Sequence, residues 1–114
     1  MDKQIELELY RRQAEIAKVL ANPLRLRILN LIGEKEVAYA ELVDGLGVSR
    51  ANLSQHLGVL RTAGIATVRR EGVHVFYRLT FPEIKNLCAA MRDILAQHLN
   101  ESARQGRWLM RQVR

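Results

Sequence analysis

Cysteine and long apolar runs are nearly absent from this sequence, and each absence excludes a class of protein. Cys88 is the only cysteine, so no disulfide bond can form within one chain. No apolar run approaches the roughly 18 residues of a membrane-spanning helix, and the first residues lack the apolar stretch of a signal peptide. We therefore expect a soluble, cytoplasmic protein with no membrane partner.

Aromatic residues are also scarce, at 5% of 114 residues. Leucine, isoleucine and valine must therefore fill the core of what the length predicts to be one domain. We place that domain at residues 1–102 and a basic C-terminal tail at residues 103–114. Gly106 indicates a break in this tail, which is a helical extension, a DNA or partner contact, or a frayed end.

The net charge of +6 is unevenly distributed. Residues 1–48 contain seven basic and eight acidic side chains, whereas residues 49–78 contain five arginines and one glutamate. A basic segment attracts polyanions, although positive charge can also serve solubility alone. Its concentration on residues 49–78 favours nucleic acid as the partner.

Long helical segments flank the centre of the chain. Apolar side chains recur at helical spacing over residues 2–21, and the Asn-Pro pair at 22–23 ends that helix and starts the next. Further on, Thr80 and Glu83 have the spacing of a capping box. This box predicts a long terminal helix that reaches at least His98.

The centre of the chain has the pattern of a helix-turn-helix. A short helix is predicted over residues 39–46, and a second from a Ser49 N-cap to about Ala63. The three residues between them include Gly47, which suits the left-handed position after a helix end. Two helices joined by so short a turn form a helix-turn-helix.

The helix after Ser49 has an outward face suited to the DNA major groove. Its leucines face the core, which leaves small and polar side chains opposite them. Gln55 can pair with an adenine edge, and Arg50 with guanine or a phosphate. Asn52 and His56 lie beside the core, where they contact phosphate or merely fasten the helix. The predicted contacts of this helix with double-stranded DNA are Ser49, Arg50, Ala51, Asn52, Ser54, Gln55, His56 and Arg61.

A basic hairpin is predicted directly after this helix. Residues 67–70 and 73–79 are rich in β-forming side chains, with a Glu-Gly turn at 71–72. Such a ribbon can follow phosphates or enter a minor groove, although charged hairpins are mostly solvated surface. The predicted contacts of this wing are Arg69, Arg70 and His74. Together these elements predict a mainly α fold with a small β-hairpin, a winged helix-turn-helix.

The terminal helix carries an apolar stripe too long to be covered within one small domain. One copy would also read too little sequence, because each good base contact discriminates by about 1–3 kcal/mol. We predict a homodimer through the first and last helices on an inverted repeat with half-sites about 34 Å apart. Burial against the same chain is the alternative. The predicted interface residues are Ile5, Leu9, Ile84, Leu87, Cys88, Met91, Ile94 and Leu95.

These parts, in this order, resemble the ArsR/SmtB family of dimeric winged-helix repressors over about residues 16–99. The strongest pieces are Leu-Ala-Asn-Pro-Leu-Arg-Leu-Arg-Ile-Leu at residues 20–29 and the Ser-x4-Ser-x-His-Leu-x2-Leu-x2-Ala-Gly-Ile pattern at residues 49–65. The resemblance implies a transcriptional repressor that occupies an operator and is released or tuned by an effector.

The resemblance also indicates which effector sites are missing. One family metal site uses a Cys-x-Cys pair at the start of the first helix of the motif, where this chain has Ala38 and Ala40. Another uses Asp-x-His and His-x-x-His pairs in the terminal helix, at places occupied here by Phe81, Glu83, Ile94 and Gln97. Zinc and nickel need several nitrogen or sulfur ligands. We therefore predict no metal and no other cofactor, and the effector stays unidentified.

Two interpretations of Cys88 remain open. Within an apolar stripe, a free cysteine is usually a small buried hydrophobe. The alternative is a redox or thiophilic switch between two copies of Cys88, which needs their Cα atoms within about 7 Å. A winged-helix module that binds only proteins is a rival to DNA reading. An enzyme has little support, because no Ser-His-Asp set or metal cluster is apparent.

Overall fold

The computed structural model describes residues 2–112. The last two residues of the basic tail predicted at 103–114 therefore lie outside the described residues. The elements follow in the order α1 (Lys3–Leu20), α2 (Pro23–Ile32), β1 (Val37–Ala38), α3 (Tyr39–Leu46), α4 (Arg50–Thr62), β2 (Ala66–Glu71), β3 (His74–Leu79) and α5 (Ile84–Gln112).

The predicted caps position the helix-turn-helix. The Asn22 side chain accepts from the amides of Leu24 and Arg25 at the start of α2. Ser49 Oγ accepts from the Asn52 amide at 3.1 Å, so it caps α4 as predicted. Gly47 adopts a left-handed conformation with φ 64°, and its amide donates to the Val43 carbonyl at the end of α3. Side-chain caps and one left-handed residue thus set the turn between α3 and α4.

The sheet has three strands rather than the predicted two. All pairs are antiparallel, in the order β1-β3-β2. The sequence prediction missed β1, because a strand of two residues is too short to show a period. The predicted hairpin turn is wrong by one residue: Glu71 pairs with His74, so the loop is Gly72-Val73. Gly72 alone has positive φ there, at 61°, which fits a turn with glycine at its first central position.

The predicted capping box before α5 is wrong. The Thr80 amide donates to the Ile65 carbonyl at 2.9 Å, so it is not available to the Glu83 carboxylate. A tight turn precedes the helix instead, in which the Ile84 amide donates to the Phe81 carbonyl at 3.0 Å. The end of α5 also differs from expectation. The helix continues through Gly106, because a single glycine in a helix costs only about 1 kcal/mol.

Aliphatic side chains fill the core, as the scarcity of aromatics predicts. The fully buried ones come from α2, α3 and α4 and are Ile28, Leu29, Ile32, Leu42, Leu53, Leu57 and Leu60. Ile84 and Cys88 join the same core with 9% and 4% of their surfaces exposed. The prediction that these two residues form a dimer interface is therefore corrected. They lie at the one end of α5 that packs on α2, so their side chains are covered within the chain.

The rest of α5 and most of α1 stand away from the core. Their apolar side chains remain exposed, including Ile5 at 63%, Leu9 at 51%, Ile94 at 65% and Leu95 at 53%. The radius of gyration is 18.8 Å, against about 13 Å for a compact chain of this length. The chain thus leaves a long apolar surface uncovered. No helix among residues 2–112 is long and apolar enough to cross a membrane.

Candidate DNA interface

The N-terminal half of α4 presents the small, polar surface that the sequence predicts. Arg50, Ala51 and Gln55 are exposed, and the leucines of the same helix are buried. Gly58 continues this surface, with open space where a side chain would stand. Of the other predicted contacts on α4, Asn52, Ser54 and Arg61 are exposed and His56 is half-buried. A helix with this face can approach the floor of a major groove closely.

Tyr39 braces this surface, and sequence reasoning missed its role. Its hydroxyl donates to the Arg50 carbonyl at 3.2 Å and lies 3.0 Å from Ser54 Oγ. The guanidinium carbon of Arg50 lies 5.6 Å from the centre of the Tyr39 ring. The first residue of α3 therefore holds the first turns of α4. The hydroxyl of Ser54 is thus engaged within the protein, and its contact with DNA stays a prediction.

His56 connects α4 to Arg25 of α2, which in turn contacts the end of α1. Its Nδ1 lies 3.2 Å from Arg25 Nη1, and because a guanidinium only donates, Nδ1 accepts. Arg25 Nε also donates to the Val19 carbonyl near the end of α1, at 2.5 Å. The structural role, one of the two open for His56 from sequence, is the one this geometry supports. Neither Tyr39 nor Arg25 gave a sequence signal, because partners 15 and 31 residues away are invisible to local patterns.

The wing does not present its two predicted arginines alike. Arg69 is hydrogen-bonded to Glu36 at 2.6 Å and to Glu71 at 2.7 Å. Its guanidinium carbon also lies 4.5 Å from the Phe76 ring centre. The hydrogen bond from Arg69 lowers the pKa of the Glu36 carboxyl, so that pair is ionised at neutral pH. Two carboxylates therefore compete with phosphate for Arg69, and its contact with DNA stays a prediction.

Arg70 and His74 keep the exposed positions that the sequence predicts near the tip of the wing. Successive side chains of a strand point to opposite faces, so Arg70 lies on the face opposite Arg69. Its register partner is Val75. His74 lies on the Arg69 face, with its ring centre 6.4 Å from that of Phe76. The wing thus offers one arginine for phosphate contact on the face away from the carboxylates.

Cys88 is a buried side chain whose surroundings disfavour the thiolate. Burial raises the pKa of its thiol, and the positive charge of Arg92 opposes this only in part. A thiol with a raised pKa is a poor nucleophile and a slow partner in disulfide exchange. Among residues 2–112, no group of three or more His, Cys, Asp or Glu residues has the arrangement of a metal site.

Known proteins resemble this chain in sequence and in structure. A helix-turn-helix domain family matches residues 20–69. The chain is 43% identical over 94 residues, 82% of each chain, to an uncharacterised HTH-type transcriptional regulator of Mycobacterium tuberculosis, Rv0081. It is 38% identical over 81 residues, 71% of each chain, to the biofilm growth-associated repressor of Xylella fastidiosa. Its identity to the transcriptional activator HlyU of Vibrio cholerae is 35% over 82 residues, 72% of this chain and 76% of HlyU.

Solved structures show the same architecture. The crystal structure of Rv0081 superimposes with a TM-score of 0.74 and 42% identity, covering 83% of this chain and 96% of that one. A homodimeric winged helix-turn-helix DNA-binding domain from Mycobacterium bovis, described as a possible ArsR-family regulator, gives a TM-score of 0.72 at 29% identity, covering 84% and 89%. This chain belongs to the ArsR-type family of winged helix-turn-helix transcriptional regulators. As an ArsR-type regulator it binds DNA.

Proposed function

We propose that this ArsR-type regulator is a dimeric repressor that binds an inverted-repeat operator with one α4 helix from each copy. The observation that carries the proposal is the exposed, small and polar surface of α4 around Arg50 and Gln55, on a helix braced by Tyr39 and Arg25. Its function is binding alone, with no catalytic step, and its place of action is the cytoplasm, where operator DNA is bound.

The uncovered helices support a dimer. Ile5 and Leu9 on α1, with Leu87, Ile94 and Leu95 on α5, are each about half exposed or more. Burying one such side chain contributes about 1.5–3 kcal/mol, so burying several of them against a second copy stabilises the dimer. The M. bovis relative is itself described as homodimeric. The proposed interface keeps six of the predicted residues, including the partly exposed Met91, and omits Ile84 and Cys88.

The DNA contacts divide by what each side chain can reach. We propose that Arg50 and Gln55 contact base edges. The small side chain of Ala51 lets the helix approach the groove closely. The capped amides after Ser49 suit a phosphate, because they lie at the positive end of the α4 dipole. The exposed polar groups proposed for the flanking phosphates are Asn52, Arg61, Arg70 and His74.

Occupancy of an operator that overlaps a promoter would lower transcription, and this is the proposed mode of repression. One relative is named a repressor and another an activator, so the sign of regulation needs its own test. We expect a reporter gene behind the bound promoter to be less active with the protein than without it. Increased reporter activity would contradict repression while leaving DNA binding in place.

Replacement of Tyr39 by phenylalanine is expected to weaken operator binding roughly three- to tenfold. The change removes a hydroxyl that contacts both Arg50 and Ser54, and such hydrogen bonds contribute about 0.5–1.5 kcal/mol each. Fluorescence anisotropy with labelled operator measures the effect. Tyr10→Phe is the matched control, because Tyr10 is 56% exposed on α1. Equal affinities of the two variants would remove the bracing role.

The two wing arginines are expected to differ in the salt dependence of binding. Each phosphate contact contributes roughly 0.9 to the slope of log affinity against log salt, so Arg70→Gln should lower the slope by about 2 per dimer. Arg69→Gln should leave the slope unchanged, because Arg69 is held by Glu36 and Glu71. Titrations at several salt concentrations decide this, and an equal fall for both variants would contradict the assignment.

A further inference from the structure

A small apolar cavity lies between α2 and α5. Leu26 and Asn30 line it from α2, and Cys88, Met91 and Leu95 line it from α5. Its volume is about 310 Å³, at the lower end of the roughly 300–1,000 Å³ typical of small-molecule sites. The cavity is therefore large enough for a small ligand with an apolar body.

Each helix also contributes one arginine to this cavity. Arg27 comes from α2 and Arg92 from α5. Arg92 lies one helical turn beyond Cys88, close enough for its charge to act on that thiol. Glu34, an acidic residue in the loop after α2, is engaged by Lys85 at 3.2 Å. The cavity therefore combines apolar walls with two cations, and this is complementary to an anion that carries an apolar tail.

Arg27 connects this cavity to the helix-turn-helix. Its Nη2 donates to the Leu46 carbonyl, the last residue of α3, at 3.0 Å. Gly47 and the turn into α4 follow directly. A guanidinium has five N–H donors, so Arg27 can donate to a ligand in the cavity through its other N–H groups while Nη2 still contacts the Leu46 carbonyl. A group that binds Arg27 in the cavity therefore acts on the turn that orients the recognition helix.

We propose that this cavity binds a small amphipathic carboxylate, such as a medium-chain fatty acid, and that this ligand is the effector. The carboxylate binds Arg27 and Arg92, and the apolar tail lies against Leu26 and the sides of Met91 and Leu95 that face α2, which leaves Leu87 and Ile94 to the proposed dimer interface. The binding step stands on the cavity alone, and the effector role rests on the proposed repressor function. The ligand shares Arg27 with the Leu46 carbonyl, and its binding shifts the side chain that holds the end of α3. It therefore favours a conformation in which the two α4 helices no longer fit the operator.

Titration of the full ¹⁵N-labelled chain with decanoate, below its micellar concentration, tests the binding step. We expect saturable shifts of the backbone amide signals of Leu26, Asn30 and Met91. The Arg92→Gln variant should bind about tenfold more weakly, since a charge-assisted hydrogen bond is lost. Arg104→Gln is the matched control, because it removes the same charge from an exposed position on the same helix. Arg104 pairs with Glu101 and lies outside the cavity.

Three outcomes would overturn the binding step. Decyltrimethylammonium, a cation of equal chain length, tests for adsorption to apolar surface alone, and equal binding of both probes would mean that the arginines select nothing. Absence of saturable shifts would mean that the cavity is not a ligand site. Binding to the Ile94→Glu variant alone would mean that a second copy fills the cavity in the dimer.

Operator binding with and without decanoate tests the effector role. We expect decanoate to lower the affinity of the wild-type protein by tenfold or more, on the order of the usual coupling between allosteric sites, and to have a smaller effect on Arg92→Gln. Unchanged affinity of a decanoate-saturated protein would overturn the effector role. Failure of the ligand-free protein to select any DNA would instead overturn the proposed function, and the binding result would stand.

Discussion

Replacing both Arg50 and Gln55 by alanine is expected to lower operator affinity about a thousandfold or more, while weak nonspecific binding remains. The dimer would lose four base contacts, each of which discriminates by about 1–3 kcal/mol. Both side chains are exposed, so their loss leaves the buried core of α4 in place. Nonspecific binding persists because the capped helix terminus and the wing still attract phosphates. Fluorescence anisotropy on operator and on scrambled DNA of equal length measures both affinities.

A second double variant tests whether the effect depends on where these side chains lie or only on which side chains are lost. Arg107→Ala with Gln97→Ala removes the same two kinds of side chain from exposed positions on α5. It also lowers the net charge by the same amount, so a general electrostatic effect appears equally in both proteins. We expect this control to bind the operator like the wild type. An Arg50 and Gln55 variant that matched the control would exclude α4 as the reading helix.

The second large effect is expected from Ile94→Glu, which should convert the dimer to a monomer at micromolar concentration. Ile94 is 65% exposed in the single chain, so the substitution does not disturb the core. In the dimer each copy would lose about 1.5–3 kcal/mol of apolar burial and would place a carboxylate in the interface. The expected rise in the dimer dissociation constant is at least about a hundredfold. Sedimentation equilibrium over a concentration series measures it.

Asn100→Glu provides the control for this variant, because it adds the same charge to α5 on the side away from the apolar stripe. It should remain a dimer with wild-type operator affinity. Ile94→Glu should lose operator affinity together with dimerisation, since one copy reads one half-site only. A monomeric wild-type protein, or an Ile94→Glu protein that is still a dimer, would contradict the proposed interface.

Local sequence patterns predicted the parts of this fold that depend on local chemistry. The Asn22 and Ser49 caps, the left-handed Gly47 and the bounds of α3 are each set by hydrogen bonds within about four residues. The same patterns failed at the Thr80 capping box, because a partner 15 residues earlier, Ile65, takes the amide that the box requires. Local rules therefore hold until a distant group competes for the same atom.

The candidate site shows the same division. Helical spacing placed Arg50 and Gln55 on the outward face of α4 without any knowledge of the fold. Sequence alone could not show that Arg69 is neutralised, because Glu36 lies 33 residues away and reaches it only through pairing of β1 with β3. It also assigned Cys88 to the dimer interface, because periodicity identifies an apolar face but not the neighbour that covers it.

Selection of bound sequences from a random DNA library tests the central claim most directly. The account predicts that the wild-type protein selects an inverted repeat with half-site centres about one helical turn apart, and that Gln55→Ala loses preference at one base pair in each half-site. A single, asymmetric site would contradict the dimeric reading head. A wild-type pattern of selection by the Gln55→Ala protein would contradict the assignment of base reading to α4.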